Sequence, residues 1–161
     1  MTASSTQAAP RSGNLQCRAW RGLVHLLEWL QSPALLAARL YVAYVFFASG
    51  VQSLRDWSAT LWLYENEFRV ALLPHHVAAV LGTAGEVLLP PLLALGLSGR
   101  FGALGLFVVN AVALLSYLYA LQAPAILFHV IWGILLAVLA LWGPGQWSAD
   151  AWRQGRRRAR P

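Results

Sequence analysis

The sequence predicts an all-α membrane protein, a four-transmembrane-helix antiparallel bundle preceded by an N-terminal interfacial amphipathic helix. Two observations support this prediction. Hydrophobic residues make up 58% of the 161-residue chain and charged residues only 11%, whereas soluble domains usually carry about 25% charged residues. In addition, four apolar stretches reach or approach the roughly 20 residues that a helix needs to cross a bilayer; they are residues 34–54, 77–97, 101–121 and 125–142.

The charged residues indicate topology and not nucleic-acid binding. All 12 basic residues are arginines, and the formal net charge is +6. Most of them cluster at the two ends of the chain, outside the apolar stretches and without interleaved surface aromatic residues, so we expect no nucleic-acid partner. The single cysteine, Cys17, excludes an intramolecular disulfide, a dithiol redox pair and a zinc site built from cysteines. We expect no metal site.

The segment before the first span divides into two parts. Residues 1–14 are small and polar, and we expect a disordered leader. Residues 15–32 have the helical spacing of an amphipathic helix that lies in the headgroup region. Its apolar stripe consists of Trp20, Leu23, Leu27 and Leu30. Its charged face consists of Arg18, Arg21, His25 and Glu28. Ser32-Pro33 is predicted to end this helix, because proline suits the first turn of a new one.

Residues 33–145 are predicted to form the four-helix transmembrane domain. Two very short connections, residues 98–100 and 122–124, force antiparallel hairpins between consecutive spans. Residues 55–76 are the one long loop, and residues 146–161 form an arginine-rich cytoplasmic tail.

The placement of the arginines predicts the orientation. If the leading end is cytoplasmic, Arg55 and Arg69 fall outside together with three acidic residues, while nine arginines fall inside. The positive-inside rule therefore favours both termini in the cytoplasm.

Three ionisable residues lie within the predicted spans, namely Arg39, Glu86 and His129. A charge at bilayer depth costs about 2.5–3.5 kcal/mol on insertion scales, so such residues usually face the bundle interior. Each of the three shares a helix face with small residues, where a neighbouring helix can pack. With a rise of about 1.5 Å per residue, Arg39 and Glu86 lie at depths close enough for the arginine side chain to reach the carboxyl group. We therefore predict a buried Arg39–Glu86 pair with His129 above it, either as a catalytic site or as a packing element.

Other polar features lie near these groups. Asn110 and Tyr117 are seven residues apart and share a helix face, which predicts interhelical hydrogen bonds and is compatible with a quinone pocket. Pro90-Pro91 removes the helical donors for the carbonyls of Glu86 and Val87. The result is either a polar niche for a proton, a water or a quinone headgroup, or only a bend in the helix.

The chain resembles the DoxX family of small four-helix bacterial membrane proteins over residues 36–150. The markers are Arg39, Ser49-Gly50, Glu86, Gly96-Leu97, Arg100, Asn110, His129, Gly143-Pro144-Gly145 and Trp147-Ser148-Ala149-Asp150. Ser53 stands where the family often has lysine, and Ala71 where it often has proline. The resemblance implies a multi-pass protein of the bacterial cytoplasmic (inner) membrane, associated with membrane redox assemblies and quinone-linked sulfur chemistry.

Three functions remain open from the sequence. The leading interpretation is a membrane subunit of a quinone-linked redox complex, with Arg39, Glu86 and His129 as the buried polar site, a quinone as the candidate cofactor, and redox-complex proteins as partners. The chain has no standalone catalytic motif. The alternative is a non-catalytic scaffold whose leader and arginine-rich tail bind anionic lipid or a partner. A small proton-coupled transporter is a third, less favoured interpretation.

Overall fold

The computed structural model describes residues 12–70, 73–143, 145 and 147–152. These residues form five α-helices and, within those ranges, no strand. The helices are α1 (Ser12–Arg55), α2 (Trp57–Asn66), α3 (His75–Leu95), α4 (Gly99–Tyr117) and α5 (Ala123–Trp142). All except α2 are long and apolar enough to span a membrane. The predicted all-α, four-span bundle is therefore confirmed.

The four long helices form a closed antiparallel bundle. Helix α1 packs along α3, α3 along α4 and α4 along α5, and α5 returns to α1. The direction of α1 and α3 follows from two contacts, because Gly50 lies against Glu86 while Arg39 lies against Gly96. We call the end of the bundle near Gly96 the Gly96 end, and the opposite end, where α2 packs against α3 and α1, the α2 end.

The buried core of the bundle is small, and most large apolar side chains face outward. Residues such as Leu88, Leu115 and Leu141 are exposed, as expected where lipid covers the surface. Lipid tails are as apolar as leucine, so helix association relies on close packing and on interhelical hydrogen bonds. The buried core cluster consists of Leu35, Val42, Phe46, Leu93, Ala103, Leu106, Leu136 and Leu139.

Helix α1 continues through Pro33, so the predicted helix break at Ser32-Pro33 is wrong. A proline removes only one backbone N–H from the helix, and helices associated with membranes tolerate this loss. At about 1.5 Å per residue, the 44 residues of α1 span about 66 Å, more than twice the roughly 30 Å of the hydrocarbon core. The leading part of α1 therefore extends beyond the Gly96 end.

The long loop predicted between the first two spans contains a helix, α2. Asp56 caps it by accepting hydrogen bonds from the Ala59 amide at 3.0 Å and the Ser58 hydroxyl at 2.9 Å. These two bonds lower the pKa of the Asp56 carboxyl. The leader was predicted to be disordered over residues 1–14, but residues 12–14 are helical because α1 begins at Ser12. Residues 1–11 of the leader and residues 153–161 of the arginine-rich tail lie outside the described residues.

Candidate functional site

The three ionisable residues predicted to share one site lie in three different places. Arg39 and Glu86 form no ion pair within 4.0 Å. Helical side chains tilt toward the N-terminus of their own helix. Because α1 and α3 are antiparallel, Arg39 and Glu86 extend toward opposite ends of the bundle. The predicted Arg39–Glu86 pair is therefore not formed, and His129 contacts a different helix.

Arg39 holds the chain after α5 against the Gly96 end. Its side chain is 2% exposed, and Nη2 donates a hydrogen bond to the backbone carbonyl of Trp147 at 2.8 Å. Nη1 lies 2.7 Å from the position that a Cβ atom on Gly96 would occupy. Gly96 has a positive φ of 67°, and its carbonyl accepts a hydrogen bond from the Asp150 amide at 3.2 Å. Arg39 thus links α1, the end of α3 and the segment 147–152.

His129 is paired with Asn110 across the α4–α5 interface. The Asn110 amide nitrogen donates to the backbone carbonyl of His129 at 2.9 Å, and the Asn110 Oδ1 lies 2.9 Å from His129 Nδ1. A carbonyl only accepts hydrogen bonds, so this pattern assigns the ring hydrogen to Nδ1. Asn110 makes the predicted interhelical hydrogen bond, and the Trp132 ring packs edge-on to His129 with centroids 5.2 Å apart.

Glu86 lines a cavity of about 170 Å³ between α2, α3 and α4. Most of the wall consists of aliphatic and aromatic side chains, and Tyr64 is the second polar residue in it. On the other side of the carboxyl group, the hydroxyl of Ser49 is its polar neighbour on α1. The approach of α1 requires Gly50, since a Cβ atom there would lie 2.9 Å from Glu86 Cβ. The sequence Ser49-Gly50 therefore positions the Glu86 carboxyl group.

Tyr64 brings a hydroxyl group to the same face of α3. The hydroxyl packs directly on Gly82, one helical turn before Glu86, and a Cβ atom on Gly82 would collide with it. Burial, and then the negative charge of Glu86, raise the pKa of Tyr64 to about 12. The hydroxyl therefore keeps its proton at neutral pH and remains a hydrogen-bond donor. Tyr64 could not be recognised from the sequence, because only the packing of α2 on α3 brings it to Glu86.

A cluster of aromatic residues lies at the α2 end of the cavity. The rings of Tyr64 and Phe68 stack with centroids 4.6 Å apart, and those of Phe68 and Tyr117 with centroids 5.1 Å apart. Tyr117 donates a hydrogen bond to the Glu67 carboxylate, and Tyr119 donates one to the Glu67 carbonyl. We call Tyr64, Phe68, Tyr117 and Tyr119, together with Glu67 that joins the last two, the aromatic clasp.

The clasp changes the interpretation of Tyr117. Tyr117 was predicted to share a quinone pocket with Asn110, but the two residues bind different partners, Glu67 and His129. Neither of them lines the cavity at Glu86. The structure therefore does not bring them together in one pocket, although they occupy the same face of α4.

The cavity is suited to the polar end of a lipophilic molecule. Ligand pockets usually have volumes of roughly 300–1,000 Å³, so a cavity of about 170 Å³ accommodates a single headgroup and not a whole drug-sized molecule. Its carboxyl group can exchange a proton, and its phenol can donate a hydrogen bond. No cluster of histidine, cysteine or acidic residues suited to a metal ion occurs within the described residues.

Comparison with known proteins identifies the family. The family model described as DoxX matches residues 34–119, which is more than half of the chain and includes Glu86, Tyr64 and the aromatic clasp. No protein with a curated description and no solved structure matches the chain. On the strength of the family match and the four membrane-length helices, this multi-pass membrane protein belongs to the DoxX family.

Proposed function

We propose that this protein is the membrane subunit of a quinone-linked redox complex in the bacterial cytoplasmic membrane. In this proposal Glu86 exchanges a proton with a quinone headgroup in the cavity between α2, α3 and α4. The observation that supports it is a carboxyl group at membrane depth that lines an apolar, headgroup-sized cavity. Ionisable residues within spans are costly, and those that face a cavity usually mark a proton or substrate pathway.

The residues of the chain would bind the headgroup and supply a proton. A bound quinone takes up two electrons and two protons to become a quinol, with the electrons coming from a partner protein. Glu86 in its acid form passes one proton to a carbonyl oxygen; the second proton, and the one that restores the acid form of Glu86, come from the aqueous phase. Ser49 orients the carboxyl group from the α1 side. Arg39 and His129 contribute to the packing of the bundle and take no part in this step.

The test is the substitution Glu86→Gln, which keeps the shape of the side chain and removes its exchangeable acid proton. We expect quinone reduction by membrane vesicles that contain the native complex to fall about 100-fold, a typical contribution of acid–base catalysis. Glu65→Gln is the control, because Glu65 is exposed on α2 and does not line the cavity. Unchanged turnover of Glu86→Gln at an unchanged protein level would rule out the catalytic role.

A non-catalytic scaffold is the second candidate, and the leading part of α1 favours it. Trp20 and Trp29 are 66% and 68% exposed there, beyond the Gly96 end. Such a helix can bind a membrane surface or a partner protein. Replacing both tryptophans with serine in the full chain should then reduce the co-purification of partner proteins. Full retention of every partner would contradict the scaffold function. The arginine-rich tail, Arg156 to Arg158, lies outside the described residues.

A further inference from the structure

The cavity at Glu86 opens sideways, toward the lipid. Leu81 of α3 and Val108 of α4 line it and are 57% and 58% exposed on the outer surface of the bundle. Both residues belong to membrane-length helices. The opening between α3 and α4 is therefore bordered by aliphatic side chains of two membrane-length helices.

Several contacts hold the α2 end of the same cavity together. The aromatic clasp joins the segment after α2 to the last turn of α4, and the Arg69 amide donates a hydrogen bond to the Ser116 carbonyl at 3.0 Å. The Arg69 guanidinium also packs over the Tyr119 ring, 4.5 Å from its centroid. The exposed aliphatic lining between α3 and α4 therefore favours a lipophilic ligand that enters from within the bilayer.

The Tyr64 hydroxyl is a hydrogen-bond donor without an acceptor among the described residues. No described residue accepts a hydrogen bond from it. The Tyr64 ring is fixed by stacking on Phe68, and its hydroxyl is fixed by contact with Gly82. A rigidly held donor beside an apolar cavity selects for a ligand that carries an acceptor there, because burying the donor without a partner is costly.

We propose that Tyr64 determines the specificity of this cavity, by donating a hydrogen bond to a carbonyl oxygen of a lipophilic ring that enters sideways from the bilayer. Gly82 contributes to the same specificity, since only glycine at this position leaves room for the Tyr64 hydroxyl. The tail of the ligand remains among the acyl chains, because the cavity of about 170 Å³ accommodates only the headgroup. The identification of this ring as a quinone rests on the proposed function; the role of Tyr64 and the sideways route do not.

The binding test uses the full chain in lipid nanodiscs and an azido derivative of decylubiquinone as a photolabel, competed by decylubiquinone. Loss of one neutral hydrogen bond predicts that Tyr64→Phe raises the half-saturating concentration about three- to tenfold. Gly82→Ala should have a similar effect, because it displaces the hydroxyl. The double variant should equal Tyr64→Phe alone, because the two substitutions act through one contact. Tyr44→Phe, on the outer surface of α1, is the matched control and should change nothing.

Two results would overturn the role of Tyr64. One is unchanged labelling of Tyr64→Phe in protein whose thermal unfolding is unchanged. The other is equal labelling by an azidoalkane without a carbonyl group, which would identify the cavity as an acyl-chain site. If Tyr64→Phe fails to fold, the labelling of Gly82→Ala and the site of photolabelling still decide, since the label must map to residues that line the cavity, such as Leu81, Glu86 and Val108.

The sideways route has its own test. Val112 of α4 also lines the cavity. A spin label at Val112→Cys, in a Cys17→Ser background, should be more accessible to oxygen than to a water-soluble nickel reagent. Leu115→Cys on the exposed face of α4 and Glu65→Cys on α2 give the lipid and water references. Greater accessibility to nickel at Val112 would overturn the route. Weaker labelling of Tyr64→Phe without reduction of bound quinone by any partner would overturn the proposed function and leave this inference standing.

Discussion

At the scale of single residues, Arg39 illustrates how the direction of a side chain decides which groups meet. The depth of Arg39 along its helix allows contact with Glu86, and its helix face is also correct, yet the two side chains extend apart. Long side chains on antiparallel helices lean toward opposite ends of the bundle. Arg39 reaches the Trp147 carbonyl at the Gly96 end instead, at 2.8 Å. Residue depth alone therefore does not predict a pair.

The contact with Trp147 predicts the effect of Arg39→Lys. A lysine carries one ammonium group and lacks the planar guanidinium that reaches this carbonyl. We expect a loss of about 1.5–3 kcal/mol in unfolding free energy in detergent, and faster chymotryptic cleavage at Trp147 and Trp152. Arg100→Lys is the control, because Arg100 is exposed and its bond to the Leu141 carbonyl is long, at 3.4 Å. Equal effects of the two substitutions would contradict this role of Arg39.

Asn110 gives a second prediction at this scale. Its amide satisfies both the His129 carbonyl and the His129 ring, and its side chain is 3% exposed. Asn110→Ala leaves these two groups without that partner, so we expect a loss of about 1–3 kcal/mol in thermal or denaturant unfolding. Asn66→Ala removes only an exposed bond to the Trp62 carbonyl, and little change is expected there. Comparable stability of Asn110→Ala and the wild-type protein would show that the pair is dispensable.

At the scale of helices, glycines set the distance between α1 and α3. A Cβ atom at Gly50 would lie 2.9 Å from the backbone carbonyl carbon of Glu86, whereas one at Gly22 meets nothing within 4 Å. Both glycines belong to α1. The chain therefore offers the same substitution in one helix, once in a tight interface and once in open space.

We expect Gly50→Ala and Gly22→Ala to have opposite effects. Gly22→Ala should leave stability unchanged or raise it by up to about 1 kcal/mol, because alanine favours helix. Gly50→Ala forces the two backbones apart and should cost about 1–3 kcal/mol, while moving the Glu86 carboxyl group. Thermal unfolding of both variants in the same detergent is the measurement. A neutral result for Gly50→Ala would mean that α1 and α3 can separate locally without cost.

The same helices indicate which features the sequence could predict. The lengths of the spans and the small-residue faces at Gly50 and Gly82 follow from composition and from the period of 3.6 residues, and both were predictable. The continuation of α1 through Pro33 was not, because the cost of one lost hydrogen bond depends on the surroundings. Helix α2 was not predicted either, since its ten residues depend on packing against α3 and α1.

At the scale of the whole molecule, the cavity at Glu86 is a product of the tertiary arrangement. Its wall combines α2, α3 and α4, so no single stretch of sequence contains it. The sequence could identify Glu86 as an unusual residue at membrane depth. It could not identify Tyr64, because the spacing of the chain does not determine where a connecting helix folds back.

The orientation of the molecule in the membrane is the last prediction, and it depends on charge summed over the whole chain. Arg100 lies at the Gly96 end, where its guanidinium donates a hydrogen bond to the Leu141 carbonyl, whereas Arg55 and Arg69 lie at the α2 end. Arg18 and Arg21, in the part of α1 that extends beyond the Gly96 end, add to the charge on this side. The sequence has six further arginines at its two ends, outside the described residues. The positive-inside rule therefore predicts that this end faces the cytoplasm.

Reporter fusions measure this orientation directly. Alkaline phosphatase, which is active only outside the cytoplasm, should be active when inserted after Asn66 on α2 and inactive when fused to the C-terminus. Green fluorescent protein at the C-terminus should be fluorescent, because it folds in the cytoplasm. The control is a version in which the arginines after residue 152 are replaced by glutamine. The bias contributed by Arg18, Arg21 and Arg100 then remains, so we expect the same orientation. An active C-terminal phosphatase in the native chain would invert the topology and place the clasp on the cytoplasmic side, although the cavity itself would be unchanged.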